Sequence, residues 1–256
     1  MAIRRLMTIA LAASVLATVA IAQDTAHWTV GRPADGGTRG AMESIFIPPK
    51  AGAPFSLTLD TEWSRPMSGG GTFTLANERH IVRDSKGRIY QERWGLVPKG
   101  GKDKSVMGVF QVTDPELHTW FNCNPWTKVC DLYRYSLSTK GKFDPPIGTS
   151  GPLPDGSGFR QHEDLGMSST AGVDTHGYRE STTLNVGVMG NDQPMLISRE
   201  FWYSLKLGVN LISIVDAPQS GKQVFTAKEV STAEPDASFL EIPSDYKVVD
   251  RRNEKE

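Results

Sequence analysis

Cys123 and Cys130 are the only two cysteines in this 256-residue chain, and both lie in the segment FNCNPWTKVC. A C-x6-C pair admits three chemistries: a disulfide, half of a metal site, or a redox centre. Redox catalysis usually uses C-x-x-C. Zinc usually takes four ligands, and no histidine stands nearby in a matching pattern. In an oxidising compartment a lone pair this close reads as a structural disulfide. Asn124-Pro125-Trp126-Thr127 supplies turn chemistry, with Asn in the first position and Pro presetting the second. The β-prone flanks, Leu117–Asn122 and Lys128–Tyr135, can then run antiparallel, so that the two cysteines face each other across a hairpin.

The histidines are His27, His80, His118, His162 and His176, and none forms H-E-x-x-H or H-x-H. His162-Glu163-Asp164 is the most polar cluster. It reads either as a metal corner or, more plainly, as a solvated strand entrance. Glu163 and Asp164 are adjacent, so in a strand they face opposite ways, which is poor for acid–base partnership. His80 reads as a surface residue, and His118, beside Trp120, as a packed one. No G-x-S-x-G elbow, P-loop or calcium loop is present. Ser244–Lys247 matches S-x-x-K, but its companion motifs are absent. The reading is therefore a non-enzymatic protein with no catalytic residue, metal or cofactor assigned. The aromatics remain. Most belong in a core, but in an open sheet some line a groove. Trp63, Tyr90, Trp94 and Trp202 are the ligand-binding candidates.

The elements that must position these residues are strands. Phe55, Leu57, Leu59 and Trp63 share one parity, and Ser56, Thr58, Asp60 and Glu62 take the other, the mark of a half-buried strand. Gly69-Gly70-Gly71 turns the chain into a second strand, Thr72 to Arg83, and Asp84-Ser85-Lys86-Gly87 into a third, Arg88 to Trp94. Ser105 to Thr113 follows a solvated KGGKDK loop, and then comes the cysteine hairpin. Residues 144–158, rich in Pro, Gly and Asp, read as a long loop. Further strands are expected at Phe159–Met167, Val173–Leu184, Met195–Tyr203, Val209–Val215 and Gln223–Val230. No long amphipathic helix is evident anywhere after Gln23. Glu234-Pro235-Asp236 opens a short helical turn, and Arg251–Glu256 is a charged tail expected to fray. Fold class follows: mainly β, an antiparallel sheet curled into an open half-barrel or barrel-like fold with few short helices.

Composition narrows the compartment and the partners. The chain opens with MAIRRLMTIALAASVLATVAIAQ: Arg4 and Arg5, an apolar run, then Ala20-Ile21-Ala22. This reads as a signal peptide over 1–22, cleaved between Ala22 and Gln23, with an uncleaved anchor as the alternative. The expected location is the periplasm or the exterior, with one β-rich domain over 23–250 and no transmembrane span after cleavage. Net charge is -1, with no strong basic run, which argues against nucleic acid.

Several segments carry a resemblance: GAPFSLTLDTEW, ERHIVRDSKGRIYQER, NCNPWTKVC, HEDLGMSSTAGV, GNDQPMLISREFWYS and EPDASFLEIPSDYKVV. Over nearly all of the mature chain they resemble a family of exported proteins of acidobacterial-type genomes, of unknown function. More loosely, the successive strands, the R-D-x-x-G-R-x-Y turn and the closing P-x-x-Y segment are similar to the lipoprotein-carrier (LolA/LolB-like) superfamily. That likeness implies a β half-barrel sheltering acyl chains, although the helices that plug such a barrel are not evident here. It points to a lipid-like or other hydrophobic small molecule as partner in the cell envelope. The alternatives are a structural or protein-interaction module that binds an envelope protein, and a hydrolase whose residues are scattered along the chain.

Overall fold

The computed structural model describes residues 45–136 and 148–254. The expected leader over 1–22, His27 and residues 144–147 of the expected loop lie outside them. β1 (Phe55–Pro66) and β2 (Thr72–Arg83) pair over their full length around the glycine turn. β3 (Ile89–Trp94), the short β4 (Val97–Pro98) and β5 (Met107–Asp114) follow. β6 (Thr119–Asn124) and β7 (Val129–Arg134) make the cysteine hairpin. The chain continues through β8 (Gly151–Pro152), β9 (Gly158–Thr170) and β10 (Val173–Leu184). It ends through β11 (Met195–Ser204), β12 (Val209–Ala217), β13 (Gly221–Ser231), a 3-10 turn at Ala237–Leu240 and β14 (Lys247–Asp250).

All of these strands join one sheet, ordered β14-β7-β6-β5-β3-β2-β1-β13-β12-β11-β10-β9-β8, with β4 beside β2. Every pairing is antiparallel except β7 with β14. Most neighbours in the sheet are neighbours in the chain, as short turns between alternating strands dictate. The long-range exceptions are β1–β13 and β7–β14, which bring distant segments together. The edge strands β14 and β8 do not meet, so the sheet is open, as expected. Twist accumulates from strand to strand, and a sheet wider than about ten strands curls rather than lying flat.

A single sheet has no second layer to bury against, and here it is covered by chain segments on opposite faces at different places. On the face of Phe55, a core joins Leu57, Leu59, Ile81, Leu211 and Phe225 across four strands. Ile45 and Ile47, which lead into β1, and Leu207 from the β11–β12 turn complete it. On the opposite face, that of Tyr90, a smaller core gathers Phe110, Val112, Cys123 and Cys130. The C-terminal segment covers it through Ile242 and Tyr246.

Two local readings change. His118 is not packed beside Trp120. Asp114 Oδ1 accepts from the amides of Glu116 and Leu117, at 2.9 Å each, and so builds a turn in which His118 is exposed at φ 51°. Arg251, assigned to a fraying tail, donates to Asp131 Oδ1 at 3.0 Å, because β14 lays the chain end beside β7. In the described part of the 144–158 loop, Gly151 and Pro152 pair with Arg160 and Phe159.

Candidate binding site

The cysteines are bonded, Cys123 to Cys130, and lie opposite each other in the β6–β7 register. Asn124 makes the turn as its chemistry requires: its side-chain oxygen accepts from Trp126 N at 2.8 Å and Thr127 N at 3.1 Å. Both cysteines are fully buried beneath the C-terminal segment, so this bond supports the smaller core.

The four aromatic candidates divide between the faces. Trp63 follows the parity of Phe55, and its indole N–H donates to Ser220 O at 2.6 Å. Tyr90 lies on the other face, between Phe110 (5.9 Å between ring centroids) and Phe239 (5.4 Å). Its hydroxyl and the Trp94 indole both donate to Glu92, at 2.9 and 2.8 Å. Burial, then the nearby Glu92 carboxylate, pushes the Tyr90 phenol far above its usual range. Trp202 repeats the pattern on the same face, donating to Glu200 at 2.8 Å. Burial drives the Glu200 carboxyl upward, but the Trp202 and Arg179 donors outweigh it, and the group ends below the usual carboxylate range.

A pocket of about 360 Å³ opens instead where β9, β10 and β11 meet, on the Phe55 face. His162, His176, Tyr178, Glu180, Arg199 and Phe201 line it. The registers explain the convergence. Tyr178 stands opposite Phe201, and Glu180 opposite both Arg199 and His162. Alternate residues of a strand share a face, so His176, Tyr178 and Glu180 project together. A bulge at Leu165 then carries Asp164 into line with Tyr178, with Gly166 at φ 77° closing the kink.

Within the pocket, Asp164 Oδ1 lies 2.6 Å from His176 Nε2, and His176 Nδ1 lies 2.9 Å from the Tyr178 hydroxyl. A neutral imidazole with its proton on Nε2 satisfies both contacts: it donates to Asp164 and accepts from Tyr178. The Asp164 carboxyl is held below its usual range by the backbone N–H of Gly166 and then by His176. Burial, and then Asp164, raises the Tyr178 phenol. Glu180 sits 3.6 Å from His162 Nε2 and 3.6 Å from Arg160 Nε. Gly148 packs so closely on the His162 ring that a side chain there would collide with it. Among the described residues no three His, Cys, Asp or Glu side chains converge as a metal set; His162 and His176 each pair with a separate carboxylate.

Beyond the pocket the cross-strand rows continue through β12, β13 and β1. Arg199 is opposite Val215, Val215 opposite Gln223, and Gln223 opposite Trp63, a single row across four strands. The next row runs Tyr178, Phe201, Ser213, Phe225, Thr61. At a strand spacing of about 4.8 Å, Arg199 and Trp63 are separated by roughly 14 Å. These rows run into the packed interior: Val215, Gln223, Ser213, Phe225 and Thr61 are all buried, polar and apolar alike.

His162 and Asp164 are visible in the sequence, but only as near neighbours in the chain. Tyr178, Glu180, Arg199 and Phe201 are missed there, and His176 is assigned no site. The legible signal is the shared parity of His176, Tyr178 and Glu180; the missing fact is the register that sets them against β9 and β11.

Fold and site define an open, single-sheet β protein with a polar pocket at one end of a partly apolar face. No family model matches the chain, and no curated protein matches it. Solved structures do. An uncharacterized conserved protein from Thermus thermophilus is 12% identical with a TM-score of 0.39, over 78% of this chain and 91% of that one. The MucA/MucB complex of Pseudomonas aeruginosa is matched at 15% identity and TM-score 0.38, over 77% of this chain and 58% of that one. A putative outer membrane lipoprotein-sorting protein domain from Vibrio parahaemolyticus is matched at 10% identity and TM-score 0.25, over 74% and 90%. A lipoprotein-sorting domain is thus among the matched structures, and no family-model match supports the acidobacterial-type resemblance.

Proposed function

We propose that this is a non-catalytic binding protein of the cell envelope that holds an amphiphilic, lipid-like ligand. The ligand's polar head meets His176, Tyr178, Glu180 and Arg199 in the pocket, and its apolar part packs on Phe201 in the same pocket. The observation that carries this reading is the pocket of about 360 Å³ that sets His176, Tyr178, Glu180 and Arg199 beside the ring of Phe201. Ligand sites of this kind combine an apolar lining with a few placed polar groups. The leader-like start of the chain supports the envelope location.

Native mass spectrometry of protein purified from its own envelope is the direct test. A co-purifying lipid mass is expected, together with binding of a fluorescent fatty-acid probe. F201S and R199A should each weaken probe binding, by about tenfold for a lost apolar or charge-assisted contact. Absence of both lipid and probe binding would overturn the reading.

A second reading, a protein-interaction module, draws on one edge. β9 spans 13 residues; among the described residues β8 pairs with it at Phe159 and Arg160, and Ser150 Oγ accepts from His162 N at 2.8 Å. Strand addition to the remaining edge would bind a protein partner. Crosslinking in cells that yields one specific protein and no lipid would favour it.

A further inference from the structure

β1, β10 and β12 run toward one end of the sheet, and β2, β11 and β13 run away from it. The β10–β11, β1–β2, β8–β9 and β6–β7 turns therefore all lie at this end. It also carries exposed apolar side chains out of proportion. The β10–β11 tip presents Val186 (58% exposed), Val188 and Met189 (64%), with Leu196 and Phe159 exposed at its base. Met67 and Trp126 project from the β1–β2 and β6–β7 turns, farther along the same end of the sheet.

The tip satisfies much of its own backbone. Asn191 Oδ1 accepts from Met189 N at 2.9 Å, and its amide nitrogen donates to Asn185 O at 2.9 Å. The amide of Gly187 donates to Asn191 O (2.8 Å), that of Val188 to Asn185 O (3.4 Å), and that of Gly190 to Gly187 O (3.3 Å). Asn185 is itself tied to the β8–β9 turn, through its amide to Ser157 O and its side chain to Gly156 O. A turn facing water can leave such groups to the solvent. A turn that satisfies them itself loses less on leaving water for the headgroup–acyl boundary, where apolar side chains pointing outward are buried. Lys102 and Lys104 are exposed on the β4–β5 connection at the same end, with Asp103 between them and Asp192 exposed in the tip, so the cations available to anionic headgroups outnumber these acids only when Lys99 is added.

We infer that this end of the sheet docks on a lipid bilayer, with the β10–β11 tip as the inserting element. No residue of the ligand pocket belongs to the tip, so this inference and the ligand reading can fail separately.

The test is flotation of the exported protein with vesicles of phosphatidylethanolamine and phosphatidylglycerol. Wild-type protein is expected to float with them. The variant V186S/V188S/M189S changes only exposed side chains, so its near-UV circular dichroism and thermal midpoint should match wild type. Its vesicle partitioning should fall by about tenfold or more, because the apolar area available for insertion is removed. K102E/K104E should weaken binding to these vesicles and leave binding to pure phosphatidylcholine vesicles unchanged. The inference is overturned if the tip variant binds as wild type does, or if wild type fails to float. It is equally overturned if a photo-crosslinker at position 189 captures a protein rather than lipid in cells.

Discussion

Arg83 is fully buried with its guanidinium stacked over the Phe55 ring at 4.7 Å. Its hydrogen bonds run to carbonyls: Ala53 O at 3.0 and 2.7 Å, Pro48 O at 2.7 Å, and Leu207 O. Burial draws its pKa down to about 10, so it remains charged at neutral pH. A planar fork reaches three carbonyls in three directions, which a lysine ammonium on a flexible stem does not. Arg83 thereby ties the segment before β1 and the β11–β12 turn to the edge of the larger core. R83M should lower the urea-unfolding free energy by about 3 kcal/mol or more, since each carbonyl stranded in the interior costs about 1–3 kcal/mol. R83K should recover little of that loss, and a full recovery would mean that charge alone is what matters there.

At the scale of the element, the β6–β7 hairpin and the C-terminal segment stabilise each other. Phe110 packs edge-on to Tyr246, 5.5 Å between centroids, above the buried disulfide. Lys128, in the hairpin turn, pairs with Asp245 at 3.2 Å and lies over the Tyr246 ring at 4.6 Å. Loop-closure entropy assigns the Cys123–Cys130 bond about 2.5 kcal/mol. C123S/C130S should lose about that much in urea unfolding, and hydrogen exchange should show faster opening of β6, β7 and β14 together. An unchanged β14 would show that the strap holds without the hairpin. Residue chemistry made this hairpin legible: an Asn-Pro turn between two cysteines admits few geometries. The strap was not legible, because the parallel pairing of Lys247–Asp250 with Val129–Leu132 joins segments more than a hundred residues apart.

For the whole molecule, acid should act through carboxylates spread over the sheet. Asp250 is pulled down to about 2 by the Arg252 guanidinium and then by the Arg252 backbone N–H. Asp155, Asp164 and Asp236 are also lowered, each first by a hydrogen-bond donor nearby. A carboxyl whose folded pKa lies below its unfolded value of 3.8 contributes stability that is complete above that pH. That contribution is lost as pH falls through the folded value. The urea midpoint should therefore decline between about pH 4 and pH 2, gradually, because these groups are exposed and their pairs are weak. A midpoint that holds steady down to pH 2 would remove these carboxylates from the stability of the fold.

By itself, the sequence determined the longer strands and most of their turns, because side-chain parity and Gly, Asn, Asp and Pro punctuation are local properties of the chain; it did not determine the short β4, β8 and β14. It also determined the pairing of the only two cysteines, whose turn chemistry lies between them. Tertiary structure alone decided which residues meet. Trp63 and Tyr90 look alike in the chain, yet strand register sends them to opposite faces. His162 and His176 acquire their partners only through the β9–β10 pairing and its bulge, and Arg199 reaches the row of Trp63 only across β12 and β13. Register is a sum of contacts between distant segments, and a single-residue slip would reverse every face.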